Sequence, residues 1–225
     1  MEHYLQKILT ARVYDVAIET PLEKAKNLSN SIKNNVWLKR EDLQPVFSFK
    51  LRGAFNKMSR LSTEELKKGV VASSAGNHAQ GVALSASHLK CEALIVMPIT
   101  TPKMKIKAVK SLNAKVVLHG ETYDEAYKEA KRISEKDGMI FIHPFDDPDV
   151  IAGQGTIAME ILRQLDHPPD VIYVAVGGGG LIAGIAAYIK NLWPKVKIVG
   201  IEPKEASAMT KSLEIGERVE LENIG

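Results

Sequence analysis

Residues 170–189 read DVIYVAVGGGGLIAGIAAYI: a β-branched apolar run, four uninterrupted glycines, then apolar residues at helical spacing. A run this short and apolar, bounded by Asp170 and glycine, is expected to be a buried strand. The chain therefore passes from strand to helix through Gly177, Gly178, Gly179 and Gly180. Consecutive glycines cost conformational entropy, and they also let backbone N–H groups converge on an anion without side chains in the way. The carboxyl end of a strand is where open α/β sheets bind ligands, so the turn reads as a phosphate cradle. The plain alternative is a flexible turn with no ligand. No Lys-Ser/Thr pair follows, so it is not a P-loop. Gly178, Gly180 and Gly184 only loosely match a dinucleotide fingerprint, and no acidic residue ends the next strand until Glu202. One phosphate is expected, not a pyrophosphate.

Upstream and downstream the same grammar repeats. GVVASS, EALIVMP, AKVVLHG, GMIFIHP and VKIVGIEP read as further strands. The segments between them, such as HAQGVALSASHL and ETYDEAYKEAKRISEK, carry apolar residues at helical spacing. Strands apolar on both faces and joined by helices imply an α/β fold of open parallel sheet flanked by helices, with right-handed crossovers. The first seventy residues differ. VYDVAIETPLEKAKNLS predicts an extended lead-in and a helix from about Pro21, NNVWLKRED a strand, and SFKLRGAFNKMSRLS a helix capped by Ser48.

Bulk properties narrow the function classes. Of 225 residues, 30 are basic and 27 acidic, a net charge of +3 with no long single-sign block, so nucleic-acid binding is not indicated. Lys103, Lys105, Lys107 and Lys110 alternate with Met104, Ile106 and Val109 and read as a helix's wet face. No apolar run approaches membrane-spanning length, and the N-terminus shows no secretory signal. The single cysteine, Cys91, excludes an intrachain disulfide and fits a reducing compartment, with cytoplasm the default. The six histidines do not pair at metal-ligand spacing, so no metal is expected.

Two further places invite chemistry. In VVASSAGNHAQG, small hydroxyl residues, a glycine and an amide meet at a strand-to-helix junction, where Ser74, Ala75, Gly76 and Asn77 offer donors to a carboxylate or a ring oxygen. Helix capping alone is the competing explanation. In SFKLRGA, Lys50 stands in the first turn of a helix, an unusual place for a cation. By itself it reads as a solvated surface charge. Beside a monophosphate cradle and a polar loop, it fits a lysine that holds pyridoxal 5'-phosphate (PLP) as a Schiff base. Burial against Phe49 and the cationic end of the helix would favour the neutral amine that such chemistry needs.

SFKLRGA, SSAGNHAQG and VGGGGL, in this order and spacing, resemble the PLP-dependent threonine dehydratases of the tryptophan-synthase-β-like superfamily, most closely the biosynthetic form. YLQKILTARVYDV, HPFDDPDVIAGQGT and IVGIEP extend the likeness over essentially the whole chain. The resemblance implies a two-domain fold-type-II architecture, with residues 1–45 and 146–225 in a large PLP domain and 46–145 in a small α/β domain. It also implies that the chain stops short of the remaining large-domain strands, the serine that faces the pyridine nitrogen and the regulatory domain, so that poor activity is expected of the chain alone.

Carried over by residue, the resemblance makes Lys50 the Schiff-base lysine and packs Phe49 against the cofactor. Asn77 donates to the pyridoxal 3-oxygen, the Gly177–Gly180 backbone holds the phosphate, and Ser74 with the neighbouring Ala75 and Gly76 binds the substrate carboxylate. His78 is left structural. The implied reaction converts L-threonine to 2-oxobutanoate and ammonia, and L-serine to pyruvate, as the first step of isoleucine biosynthesis in a cytoplasmic dimer or tetramer. Related racemases carry serine where this chain has Ala75, and cysteine synthases follow the lysine with Asp-Arg, here Leu51-Arg52. A racemase-like or other β-eliminating PLP enzyme is the alternative within enzymes, and a non-catalytic PLP or phosphate-binding module the alternative outside them.

Overall fold

Every apolar run named above forms a strand, and every amphipathic segment between them a helix, in a computed structural model that describes residues 2–219. The lead-in comprises α1 (Glu2–Leu9), β1 (Leu22–Lys24), α2 (Lys26–Ile32), β2 (Trp37–Lys39), a 3-10 turn at Glu41–Leu43, α3 (Lys50–Met58) and α4 (Thr63–Lys68). The alternating part follows as β3 (Val70–Ser73), α5 (Asn77–Leu89), β4 (Ala93–Met97), α6 (Lys103–Lys110), β5 (Lys115–Leu118), α7 (Tyr123–Asp137) and β6 (Ile140–Phe141). It continues through α8 (Pro148–Gln164), β7 (Val171–Ala175), α9 (Gly180–Leu192), β8 (Lys197–Ile201) and α10 (Ala208–Ile215).

Two local expectations are corrected. The helix expected from about Pro21 begins only at Lys26, because Leu22–Lys24 is taken up by antiparallel pairing with Trp37–Lys39. Tertiary pairing overrides local propensity there. Ser48 lies one residue before the N-cap position, which Phe49 occupies. Its hydroxyl still accepts the Lys50 N–H at 3.3 Å, so it supports the first turn from further back.

The parallel strands divide into two sheets, one ordered β5-β4-β3-β6 and one β7-β8. Strand periodicity sorts the first sheet's side chains to two cores. Val70, Ala72, Ile95 and Met97 pack with residues of α3 and α5, whereas Val71 and Val96 pack against Ala126, Ala130 and Ile133 of α7. A third core joins Ile8 of α1, Ile157 and Ile161 of α8, Val174 of β7 and Ile189 of α9. Helix ends follow capping chemistry. Thr122 and Glu125 form a capping box for α7, and Asp147 caps α8 by accepting from Asp149 and Val150 ahead of Pro148 at the first turn.

The topology directs attention to one place. β3 continues through α5 toward β4, while its other neighbour, β6, arrives from the far edge after α7. The carboxyl ends of β3 and β6 therefore form a switch point, where loops diverge and leave a crevice. The segments leaving these ends are Ser74–Asn77 and His143–Phe145. Among the described residues, no helix is long and apolar enough to cross a membrane.

Candidate active site

Lys50 opens α3, and the backbone around it is gripped from two sides. A Cβ on Gly81 of α5 would lie 3.0 Å from the Leu51 Cα and 3.1 Å from the Lys50 carbonyl carbon. A Cβ on Gly153 of α8 would lie 2.6 Å from the Arg52 carbonyl oxygen. A side chain at Gly153 would force a shift and one at Gly81 would press on the Lys50–Leu51 backbone, so the start of α3 is wedged between α5 and α8. From this anchored backbone the Lys50 side chain runs into the protein. Its Nζ donates to the Pro144 carbonyl at 2.8 Å and lies 5.5 Å from the centroid of the Phe49 ring. Burial lowers its pKa from 10.5 to about 8. Desolvation is the cause, since it penalises the ammonium form. Phe49 packs partly against the core that joins α1, α8 and α9.

The four glycines do different jobs. A Cβ on Gly178 would collide with the ring of Phe145, and one on Gly180 would sit 2.6 Å from the Phe145 carbonyl oxygen. Gly179 has φ +85°, where side chains are disfavoured. Packing and conformation thus account for three of the four. Gly177 differs, for a Cβ there would meet nothing within 4 Å among the described residues and its φ is outside the left-handed region. Gly177 is also exposed.

Lys50 and this turn are joined by two consecutive residues. Pro144 holds the amine through its carbonyl, and Phe145 covers Gly178 and Gly180. His143 secures that junction, its Nδ1 accepting the N–H groups of Phe145 at 3.3 Å and Asp146 at 2.7 Å. The Phe145 ring stands edge-on to the imidazole, 4.7 Å between centroids.

The polar loop lies at the end of β3. Ser74 Oγ accepts the Gly76 N–H at 3.1 Å, Ala75 is half-buried, and Gly76 occupies the N-cap of α5. The Asn77 side chain is exposed and makes no hydrogen bond among the described residues. No hydrogen bond joins Ser74–Asn77 to Lys50 or to the glycine turn among the described residues. Their connection runs through α5 instead, by Gly81 against the Lys50 backbone and by His78 Nε2, 2.9 Å from the Ile142 carbonyl. Facing a carbonyl, that nitrogen carries the proton. Burial drives the His78 pKa down to about 3, so the ring is neutral, and its buried Nδ1 has no partner among the described residues.

Pro144, Phe145 and His143 were not singled out from the sequence as site residues. A backbone carbonyl leaves no side-chain signature, and a phenylalanine opposite a glycine is visible only once the two meet in space. The third feature missed is a buried ion cluster around Arg52, with partners 11 and 108 residues away along the chain.

The family model described as pyridoxal-phosphate dependent enzyme matches residues 13–224. The chain is 61% identical over 222 residues to threonine dehydratase 1 biosynthetic, chloroplastic, of Solanum lycopersicum, covering 99% of this chain and 37% of that protein. The chain thus spans a little over a third of that relative's length. Among solved structures, the processed form of threonine deaminase isoform 2 from Solanum lycopersicum superposes with a TM-score of 0.96 at 57% identity, covering 100% of this chain and 61% of that one. Maize serine racemase gives a TM-score of 0.94 at 32% identity over 98% of this chain and 68% of that one. With a match from residue 13 to residue 224 and a shared fold, the chain belongs to the family of pyridoxal-phosphate dependent enzymes.

Proposed function

We propose that this chain carries the catalytic core of a threonine ammonia-lyase, converting L-threonine to 2-oxobutanoate and ammonia and accepting L-serine to give pyruvate, as the first step of isoleucine biosynthesis. One observation carries the reading: a half-buried lysine with a depressed pKa, whose amine is held by Pro144 next to a glycine turn with one open position. The residues present fit PLP. Gly177 leaves open the volume that a Cβ would take, at the N-terminus of a 13-residue helix whose unpaired N–H groups and dipole favour a phosphate. The named relatives, a biosynthetic threonine dehydratase and a threonine deaminase, support the substrate assignment.

When bound, PLP supplies the electron sink that stabilises negative charge at the substrate's α-carbon. The chain supplies the rest. Lys50 Nζ is the covalent attachment point, and as a neutral amine of depressed pKa it takes the α-proton as general base. The backbone N–H groups of Gly177–Gly180 hold the phosphate, and Phe49 packs beside the ring. Asn77, whose amide is exposed and uncommitted, donates to the cofactor's ring oxygen. Ser74, Ala75 and Gly76 receive the substrate carboxylate. Ala75 has no hydroxyl with which to return a proton from the opposite face, which favours elimination over racemisation despite the likeness to serine racemase.

The same reading assigns residues 1–45 and 146–225 to the large PLP domain and 46–145 to the small one. In support, the cores around the four-stranded sheet draw on residues from Ala54 to Ile142, and the core around β7-β8 on α1, α8 and α9. A homo-oligomer and a cytoplasmic location complete the proposal, although the tomato relative is named chloroplastic. The test is to incubate the chain with PLP, reduce with borohydride, and locate the added mass by peptide sequencing. Attachment at Lys50, with keto acid released from L-threonine and both lost in Lys50→Ala, is the expected result. Attachment to other lysines alone, or D-serine from L-serine with no keto acid, would overturn it.

A further inference from the structure

Two residues beyond Lys50, Arg52 is fully buried and its guanidinium is used on every edge. Nε and Nη2 donate to Glu41 at 2.8 Å each, and Nη1 donates to Glu160 at 2.6 Å and Thr156 at 3.1 Å. Nη2 also reaches Glu160 at 3.0 Å and the Ile18 carbonyl at 3.1 Å. Glu160 in turn pairs with Lys39 at 2.6 Å and accepts from Tyr14 at 2.9 Å. The cluster holds two cations and two carboxylates, so it is neutral as a unit.

A buried ion cluster is a poor way to gain stability, because well-packed apolar side chains in the same volume often do as well or better. What it supplies is direction. A planar fork clamped by two carboxylates permits one position and one orientation. Here the fork belongs to the first turn of α3, Glu160 and Thr156 to α8, and Glu41 to the turn before α3. The glycine contacts at Gly81 and Gly153 fix how closely α3 is approached, and α3 is also tied to α8 and its cap by Gly53 N–H to Gln154 (3.3 Å), Asn56 to the Asp149 carbonyl (2.6 Å) and Lys57 to Asp147 (2.9 Å); among the described residues Arg52 is the α3 side chain that joins α8 and Glu41 at once. Lys50 has a flexible four-carbon stem and a single hydrogen bond, to Pro144, among the described residues. Where its amine can reach depends on where the helix start is held.

We propose that Arg52 is the positioning residue of the Lys50 amine, registering α3 on α8 through Glu160 and Glu41 so that Nζ meets the space beside the glycine turn. This rests on the reading of Lys50 as the cofactor-bearing lysine. The test uses the full chain and PLP as probe, reading the rate at which borohydride-fixed PLP accumulates on the peptide containing residue 50, beside the thermal midpoint of each variant. Arg52→Lys keeps the charge and loses the fork, Glu160→Gln loses one clamp, and Thr156→Val removes the hydrogen bond from Arg52, together with the hydroxyl's own bond to the Gly153 carbonyl, while keeping both ion pairs. Val109→Ala on α6 and Ile133→Ala on α7, buried and remote from the α3–α8 contact, give the dependence of attachment on stability alone.

Misplacement of a reacting group by about 1 Å costs up to about a hundredfold. Arg52→Lys and Glu160→Gln are therefore expected to load roughly ten- to a hundredfold more slowly than a control of equal thermal midpoint, and Thr156→Val less severely. If cluster and control variants fall on one line of rate against midpoint, or if Arg52→Lys loads at the wild-type rate, the inference is wrong while the Lys50 reading stands. Should Arg52→Lys not fold, the same comparison is decided by Glu160→Gln and Thr156→Val. If wild type attaches no PLP at Lys50, the underlying reading falls first.

Discussion

Replacing Gly177 with alanine separates a glycine that serves a ligand from glycines that serve the fold. A Cβ at this position meets no heavy atom within 4 Å among the described residues and requires no left-handed backbone, so the fold they form loses nothing. The unfolded chain loses freedom, and the substitution should leave stability unchanged or raise it by about 0.4–1 kcal/mol. The added methyl group nevertheless enters the open face of the proposed cradle. Loss of one charge-assisted hydrogen bond there costs about 1.5–3 kcal/mol. That converts to a PLP dissociation constant roughly ten- to a hundredfold weaker. Gly178→Ala is the counterpart, since its Cβ collides with the Phe145 ring and overpacking of this kind costs about 1–3 kcal/mol of stability. Thermal melts without cofactor, paired with PLP titration by equilibrium dialysis, measure both quantities. A Gly177→Ala protein that binds PLP like wild type, or melts as early as Gly178→Ala, refutes the assignment of this turn to the phosphate.

Three further outcomes are expected. The rate of reductive methylation of Lys50, followed by peptide mass, should rise with a midpoint near pH 8, because burial depresses this amine from 10.5 and leaves it neutral above about 8; a midpoint near 10.5 contradicts the buried amine. His78 is held neutral, with a folded pKa of about 3 against 6.5 for an exposed ring, so its contribution to stability is complete above pH 6.5 and drains as pH falls toward 3. Urea midpoints should therefore drop over that window in wild type and drop less in His78→Asn, and parallel curves would exclude this role. Gly153→Ala brings a Cβ within 2.6 Å of the Arg52 carbonyl oxygen and should cost about 1–3 kcal/mol, seen as a lower thermal midpoint together with slower PLP attachment at Lys50.

Much of this molecule is written locally. Strand and helix identities between residues 69 and 203 follow from apolar runs bounded by glycine, proline and acidic residues, because burial and backbone hydrogen bonding act over a few neighbours. Gly177–Gly180 and Lys50 stand out for the same reason: a glycine run after a strand, and a cation at a helix start, are anomalies visible within ten residues. The roles proposed for Asn77 and Ser74 come from the family likeness, since their chemistry alone left them open. The lead-in was harder. The delayed start of α2 at Lys26 depends on β1 meeting β2, a pairing that no local pattern announces.

The sequence by itself determined the alternating α/β order, the cradle-like turn and the lysine in question. Only the folded chain decided that Lys50 meets a carbonyl 94 positions away and that Arg52 meets a carboxylate 108 positions away. The same folding decided that three of the four glycines answer to packing or conformation while Gly177 faces open space. The physical reason is that propensity and periodicity record what a residue does with its neighbours in the chain. Desolvation, charge pairing and close backbone approach depend on residues that the chain brings together only when two sheets and the helices between them have packed.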